Sequence, residues 1–135
     1  MRAKLIGVTR TLTAVVLGYI VLVLASTFVQ EYLFHGVSYH RSPLSTLIGA
    51  GILTPFSGVL AGLTTAAIAG RAFVLHVVPV CVWISIETSI LYARHIVDGP
   101  LWFEGSAGLM LIAGCVAGAL VWREIIRRRT VLAAA

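Results

Sequence analysis

The sequence predicts an all-α integral membrane protein, a four-transmembrane-helix bundle, and three observations support this prediction. The chain of 135 residues is 59% hydrophobic and only 11% charged, whereas soluble domains carry about 25% charged residues. Four long apolar runs follow one another, and the run at 44–70 contains no charged residue. The links between the runs are too short to hold a soluble domain, so a single membrane domain over 1–135 is expected.

The first span is predicted at 11–34 and the second at 44–70, because about 20 apolar residues are needed to cross roughly 30 Å of hydrocarbon. The third span is predicted at 72–93 and the fourth at 105–122, followed by a basic tail at 123–135. A basic start before an apolar run is also typical of a secretory signal. The first run exceeds the roughly 7–15 apolar residues of such a signal, so we expect it to be a retained span.

The lysines and arginines predict the orientation of the bundle. One predicted side carries Arg2, Lys4, Arg10, Arg71, Arg123, Arg127, Arg128 and Arg129. Only Arg41 and Arg94 fall on the other side. Since cytoplasmic segments carry the excess of basic residues, both termini are expected in the cytoplasm. The net charge of +5 does not indicate nucleic acid, because the basic residues lie at span ends and form no stripe with aromatic residues.

Glycines at helical spacing predict close packing between the second and the fourth span. The predicted packing positions are Gly51, Gly58, Gly62, Gly114 and Gly118. Lipid is as apolar as leucine, so helices associate where small residues let their backbones approach closely. We expect these two spans to contact each other through the glycines, or one glycine face to form a dimer. The alternative is that glycine is simply common in membrane helices.

Glu87 is the most costly side chain in the predicted spans, because it lies about 7 Å from the centre of the third span at 1.5 Å per residue. An ionised carboxylate at that depth must be paired, neutralised or hydrated. Ser85, Thr88 and Gln30 complete the set of intramembrane polar candidates. Partners for Glu87 are expected at its depth, among Thr27, Gln30, Ser45 and Thr46. Glu87 is then either a proton or cation carrier, or a protonated acid hydrogen-bonded between helices.

Four side chains on the predicted outer side raise the hypothesis of a metal site: Glu31, His35, His40 and His95. Glu31 and His35 are four residues apart and would share one helical face, and histidine with carboxylate suits zinc or copper. No specific spacing such as HExxH is present. Ordinary polar residues at the membrane interface are therefore the alternative interpretation.

No cofactor and no catalytic residue are expected. His76 has no second histidine at its depth that could complete a pair of haem ligands. Cys81 and Cys115 lack CxxC spacing and are interpreted as small buried apolar side chains. We find no nucleophile with a base, no phosphate loop and no pair of carboxylates, so the sequence does not indicate an enzyme.

Three short features carry a resemblance to a known group. Ala69-Gly70-Arg71 ends the second span, His76 follows soon after, and Pro100-Leu101-Trp102-Phe103 precedes the fourth span. In these features the chain resembles a loose group of small bacterial membrane proteins with four spans. The resemblance implies the four-helix layout and a bacterial inner membrane, and it implies no activity.

Three functional hypotheses follow. The first is a non-enzymatic structural or accessory protein whose partners are the lipid bilayer and either itself or other subunits of a membrane complex. It predicts that Glu87 lies between helices with a hydroxyl or amide partner. The second is a small oligomeric transporter or proton-coupled carrier, with a wet cavity that reaches Glu87 from the outer side beside Pro55 or Pro79, where the helices are expected to bend. The third is an outward-facing metal-binding protein.

Overall fold

A computed structural model describes the backbone over residues 2–70 and 73–134, and the side chains over 7–70 and 75–133. It contains four α-helices: α1 Arg2–Thr27, α2 Leu44–Ala69, α3 Phe73–Ala93 and α4 Leu101–Ala134. All four are long and apolar enough to cross a membrane, and the described residues form no strand. The predicted all-α bundle is confirmed, and the chain is a multi-pass membrane protein. Arg71 and Ala72, predicted at the second link and the start of the third span, lie outside the described residues.

The helices alternate in direction, so α1 is parallel to α3 and α2 is parallel to α4. Thr11 lies beside His76 and Tyr19 beside Glu87, so positions along α1 and α3 rise together. Both ends of the chain therefore lie at one end of the bundle, called here the terminal end. Loops 34–43 and 94–100 lie at the opposite end, called here the loop end.

Helix α2 is the centre of the bundle, because its contacts with α4 and with α1 are the most extensive between helices. Its glycines determine how it meets α4. A Cβ atom on Gly58 would overlap the carbonyl oxygen of Leu111, and one on Gly62 would overlap the carbonyl oxygen of Cys115. The two backbones are thus in direct contact, which is possible only without side chains at these positions.

The contact is reciprocal on the α4 side. A Cβ atom on Gly114 would overlap the backbone of Pro55, and one on Gly118 would overlap the backbone of Val59. Gly51 differs from the other four predicted packing glycines, because a Cβ atom there would meet nothing within 4 Å. Gly51 lies closer to the loop end, where α2 and α4 diverge, so the close contact begins beyond it.

Proline and histidine mark the helix boundaries at the loop end. Pro43 and Pro100 precede α2 and α4, and each carbonyl accepts hydrogen bonds from the first turn of its helix. Proline suits a helix start because its φ is fixed near the helical value and it has no N–H group to leave unpaired. His35 and His95 follow α1 and α3 in the left-handed conformation, both with φ of 53°. Each leaves its helix by the turn that commonly ends helices.

After α1 ends at Thr27, the chain continues without a break into a π-helical segment, Phe28–Leu33. In a π-helix the backbone bonds reach five residues back, so the side chains rotate relative to α-helical spacing. Gly36 N–H still closes the end of the segment by donating to the carbonyl of Gln30 at 2.9 Å. The segment therefore places Gln30 and its neighbours differently from the predicted continuous helix.

Helix α4 is longer than the predicted fourth span and includes the basic segment that we expected to be a tail. It comprises 34 residues, or about 51 Å at 1.5 Å per residue, against roughly 30 Å of hydrocarbon. Arg127 and Arg128 pair with Glu124 at 2.8 and 2.9 Å. Ion pairs three and four residues apart favour the helix, which explains why the segment stays helical beyond the predicted span.

Candidate functional site

Glu87 is engaged by a tyrosine on a neighbouring helix. The Tyr19 hydroxyl donates to Glu87 Oε2 at 2.7 Å, between α1 and α3. The ring of Trp83, one turn before Glu87, meets the Tyr19 ring edge to face at a centroid distance of 6.0 Å. An aromatic wall and a hydroxyl donor thus surround a partly buried carboxylate. The carboxylate gains a direct hydrogen bond inside the membrane span, where an unpaired one would be costly.

Tyr19 is not among the partners predicted for Glu87, so that prediction was wrong. Tyr19 does lie on the predicted first span, which also contains two of the predicted partners, Thr27 and Gln30. Thr11 lies beside His76 and Tyr19 beside Glu87, and these two contacts define the register of α1 against α3. Glu87 therefore lies level with Tyr19 and not with Thr27 or Gln30. A tyrosine in the middle of an apolar run was the signal in the sequence, because a buried tyrosine hydroxyl usually has a hydrogen-bond partner.

The other intramembrane polar candidates do not converge on Glu87. Ser85 is exposed, and its hydroxyl donates to the carbonyl of Cys81 at 3.0 Å, within its own helix. Thr88 lies against Gly108 of α4, at the contact between α3 and α4. Gln30 lies on the π-helical segment at the loop end. In this arrangement the polar residues occupy separate faces, so they do not form one polar path across the membrane.

The predicted metal ligands are not brought together. Among the described residues, no three histidine, cysteine or acidic side chains lie close enough to hold a metal ion. Glu31 and His35 do border one shallow groove, but the π-helical segment and the left-handed His35 remove the helical face that they were expected to share. His40 packs its ring against Tyr39 at 5.0 Å, and His95 ends α3.

Two thiols lie in the core between α3 and α4. Cys81 packs against the core cluster that contains Cys115, and both are free thiols. Cys115 is fully buried against Gly62, which agrees with its interpretation as a small core residue. Cys81 is only partly buried.

Two polar contacts fasten the terminal end of the bundle. Arg10 Nε donates to the carbonyl of Ile68 at 2.6 Å, near the end of α2. His76 lies 3.0 Å from the Thr11 hydroxyl, so the histidine that the sequence left alone has a partner on α1. Both contacts join α1 to the helix beside it.

A cavity of about 600 Å³ lies at the loop end of the bundle. Its wall combines the two loops with the first turns of α2 and α4. The polar groups in the wall are Gln30, Ser38, Arg41, Thr54, Asp98, Glu104 and Ser106. Trp102, Phe103, Leu47 and Met110 are among the apolar ones. The sequence did not indicate this cavity, because its wall comes from segments far apart in the chain.

Asp98 lies in the cavity wall and joins the two loops by hydrogen bonds. Its carboxylate accepts a hydrogen bond from the Ser38 hydroxyl and another, at 3.1 Å, from the Tyr39 N–H. These bonds, the Ser38 hydroxyl first, together with the nearby His40, hold the pKa of the exposed Asp98 carboxyl below its usual range. Tyr39 also packs against Trp102 and Phe103, so the polar clamp has an aromatic cluster beside it.

Glu104 and Arg41 are the charged groups of the cavity wall that have the fewest partners. The Glu104 carboxylate is partly buried and lies beside Gly99. Arg41 forms no ion pair with any acidic side chain in the described residues. Two opposite charges therefore face the same cavity without neutralising each other.

No family model matches this sequence, and comparisons with curated proteins and with solved structures give no significant match.

Proposed function

We propose that this chain is a non-enzymatic accessory protein that works as a subunit of a larger membrane complex. One observation carries the proposal: Glu87 is bonded to the Tyr19 hydroxyl between two helices and is not part of the wall of the loop-end cavity. A carboxylate that carries protons or cations has to exchange them with water. Glu87 instead holds α1 against α3, as a structural role requires.

The outer surface of the bundle supports the same proposal. Large apolar side chains are exposed on every helix, for example Leu24, Leu60, Leu75 and Leu109. Such faces suit lipid or the helices of other membrane subunits. The partners we propose are therefore the bilayer together with other subunits or a second copy of the chain.

We further propose that both termini face the cytoplasm of a bacterial cell and that the loop end faces outward. Arg10, Arg123 and the cluster at 127–129 lie toward the terminal end, whereas Arg41 and Arg94 lie at the loop end. This distribution follows the positive-inside rule. Single cysteines placed at 133 and at 42 in a variant without Cys81 and Cys115 test the orientation. An impermeant maleimide should label position 42 in intact cells and should not label position 133; the reverse pattern would refute it.

Purification at native expression level in mild detergent tests the accessory role. A partner subunit should be recovered at a fixed stoichiometry, and tagging that partner should recover this chain. Glu87→Gln should preserve both the complex and the cellular phenotype, because the amide keeps an acceptor for Tyr19. A monodisperse chain without partners, or a Glu87→Gln variant that stays folded and loses the phenotype, would contradict the proposal.

The carrier is the second candidate, and the loop-end cavity is the observation that favours it. The cavity reaches Thr54, next to Pro55, but Glu87 is not among its lining residues. A proton-coupled carrier would therefore use Glu104 in place of Glu87. Proton uptake into proteoliposomes that Glu104→Gln abolishes and Glu87→Gln leaves unchanged would favour this candidate over the accessory role.

A further inference from the structure

We propose that the loop-end cavity binds a zwitterionic amphiphile. Glu104 receives its ammonium group, Arg41 receives its phosphate or carboxylate group, and the apolar part of the wall receives its hydrocarbon portion. This inference does not depend on the accessory role, because either an accessory subunit or a carrier can hold such a ligand.

The cavity exists because α2 and α4 diverge toward the loop end. The backbones touch at Gly58 and Gly114 and separate before Gly51, where a Cβ atom would meet nothing within 4 Å. Thr54 is the deepest lining residue of α2, about 15 Å from the start of that helix at 1.5 Å per residue. The volume of about 600 Å³ lies within the range of roughly 300–1,000 Å³ of small-molecule sites.

The charges of the wall indicate a ligand that carries both signs. Arg41 and Glu104 border the same space, yet neither belongs to the ion pairs of the described residues. Asp98 also lies in the wall and keeps its negative charge, although it accepts hydrogen bonds from Ser38 and Tyr39. Glu104 is partly buried, so an ammonium group beside it offsets the cost of its buried charge, whereas Arg41 is exposed and meets an anionic group at the mouth of the cavity. A zwitterion compensates both.

The apolar part of the wall indicates that the ligand also has a hydrocarbon portion. The charged groups come from the loops and the first turn of α4, whereas Ala50 and Met110 lie deeper along the helices. Trp102 and Phe103 border the space beside the charges. All charged groups of the wall therefore lie toward the loop end and the deeper residues are uncharged, which suits an amphiphile that enters the bilayer with its hydrocarbon first.

The floor of the cavity adds one hydrogen-bond acceptor. Pro55 has no N–H group, so the carbonyl of Gly51 lacks the helical donor that it would otherwise have. Gly51 also has no side chain to cover its backbone and is part of the cavity wall. The site therefore has room at Gly51, and this position can be used to fill the cavity without disturbing the helix contact.

A binding experiment on the full chain in detergent tests the proposal, with three probes measured by native mass spectrometry: phosphatidylethanolamine, phosphatidylglycerol and free phosphoethanolamine. Phosphatidylethanolamine or phosphoethanolamine should bind in preference to phosphatidylglycerol, which lacks the ammonium group. Binding of the lipid alone would identify a lipid headgroup as the source, and binding of the free compound alone would identify a soluble zwitterion. Equal binding of phosphatidylglycerol, or no binding of any probe, would overturn the proposal.

Charge variants test the assignment of the two groups. Arg41→Gln and Glu104→Gln should each weaken binding about tenfold or more, as expected for the loss of a hydrogen bond to a charged group. Arg94→Gln and Glu31→Gln are matched controls at the same end of the bundle but outside the cavity wall, and they should change the affinity less than twofold. Unchanged binding in Glu104→Gln would overturn the ammonium assignment.

A variant that fills the cavity with a larger side chain tests the location of the site even if a charge variant fails to fold. Gly51→Leu places a side chain in the cavity, where the backbone has open space, and leucine favours the helix. Binding should fall at least tenfold while the melting temperature is maintained. Gly7→Leu, at an equally open position on α1, should leave binding unchanged. Full binding in a folded Gly51→Leu protein would overturn the location of the site.

Discussion

The hydroxyl of Tyr19 and a carboxylate oxygen of Glu87 lie 2.7 Å apart, and this hydrogen bond joins α1 to α3 inside the membrane span. α1 contacts α3 less extensively than it contacts α2, and the bond joins the two helices together with the contact between Thr11 and His76. The donor is a phenol, which keeps its proton at neutral pH. The pair therefore fits a structural interhelical hydrogen bond better than a step in proton transfer.

Tyr19→Phe should destabilise the protein by about 1 kcal/mol, within the range of interhelical hydrogen bonds measured in membrane bundles. The substitution keeps the ring contact with Trp83 and removes only the donor to Glu87. The free energy of unfolding by dodecyl sulfate in mixed micelles measures the effect. In a Glu87→Leu background the same substitution should cost much less, since the acceptor is already gone. Equal losses in both backgrounds would mean that the hydrogen bond contributes nothing.

Gly62→Ala should destabilise the contact between α2 and α4 by about 1–3 kcal/mol, the usual cost of an overpacked core. Its added methyl group would overlap the carbonyl oxygen of Cys115. Gly105→Ala is the matched control on α4, where the same methyl group meets nothing within 4 Å. That variant should be neutral or slightly stabilising, because alanine favours the helix. Thermal unfolding in detergent compares the two, and equal melting temperatures would refute the backbone contact.

The fold was predictable because each span is a local property of the sequence. A run such as 44–70 needs only its own composition to be recognised as a membrane helix. The glycines of α2 and α4 could be predicted as places where another helix packs closely, because a glycine has no side chain to keep the helices apart. Gly51 is an exception, because α2 and α4 diverge before they reach it. The angle between two helices cannot be read from the sequence of either one.

The candidate site was less predictable because it depends on register between distant segments. The cost of burying Glu87 was evident from the sequence, but its partner depended on the register of α1 against α3, and the predicted register selected Thr27 in place of Tyr19. The cavity brings Arg41 of the first loop near Glu104 of α4, because the two loops are joined at Ser38 and Asp98, which are 60 residues apart in the chain. Neither residue lies in a motif that marks it.

The loop clamp at Asp98 should weaken in acid. Its pKa is lowered in the folded protein, first by the Ser38 hydroxyl, so the clamp stabilises the fold fully above the ordinary aspartate pKa of about 3.9. That contribution is lost as the pH falls below this value toward the lower folded pKa. Trp102 packs near the clamp, 5.8 Å from the Tyr39 ring, so its fluorescence should change over that acidic window.

Measurement of the clamp needs Trp102 as the only tryptophan, so Trp83 and Trp122 are replaced by phenylalanine. Asp98→Asn should remove the acidic transition, because the amide does not titrate. His40→Gln controls for the histidine charge beside Asp98, and Glu104→Gln controls for the neighbouring carboxylate. A transition that persists unchanged in Asp98→Asn would assign it to another group.

Arg10 should hold the end of α2 closed. Its Nε donates to the carbonyl of Ile68 at 2.6 Å, and a cation near the end of a helix also interacts favourably with the helix dipole. Arg10→Gln removes both contributions and should cost about 1 kcal/mol. Arg10→Lys keeps the charge and should recover part of the loss. Hydrogen exchange of the Gly70 amide, which is bonded to the carbonyl of Ala66 at 3.1 Å, reports on this end of α2. It should be fastest in Arg10→Gln, intermediate in Arg10→Lys and slowest in the wild type, and equal rates in the three proteins would show that Arg10 does not restrain the helix end.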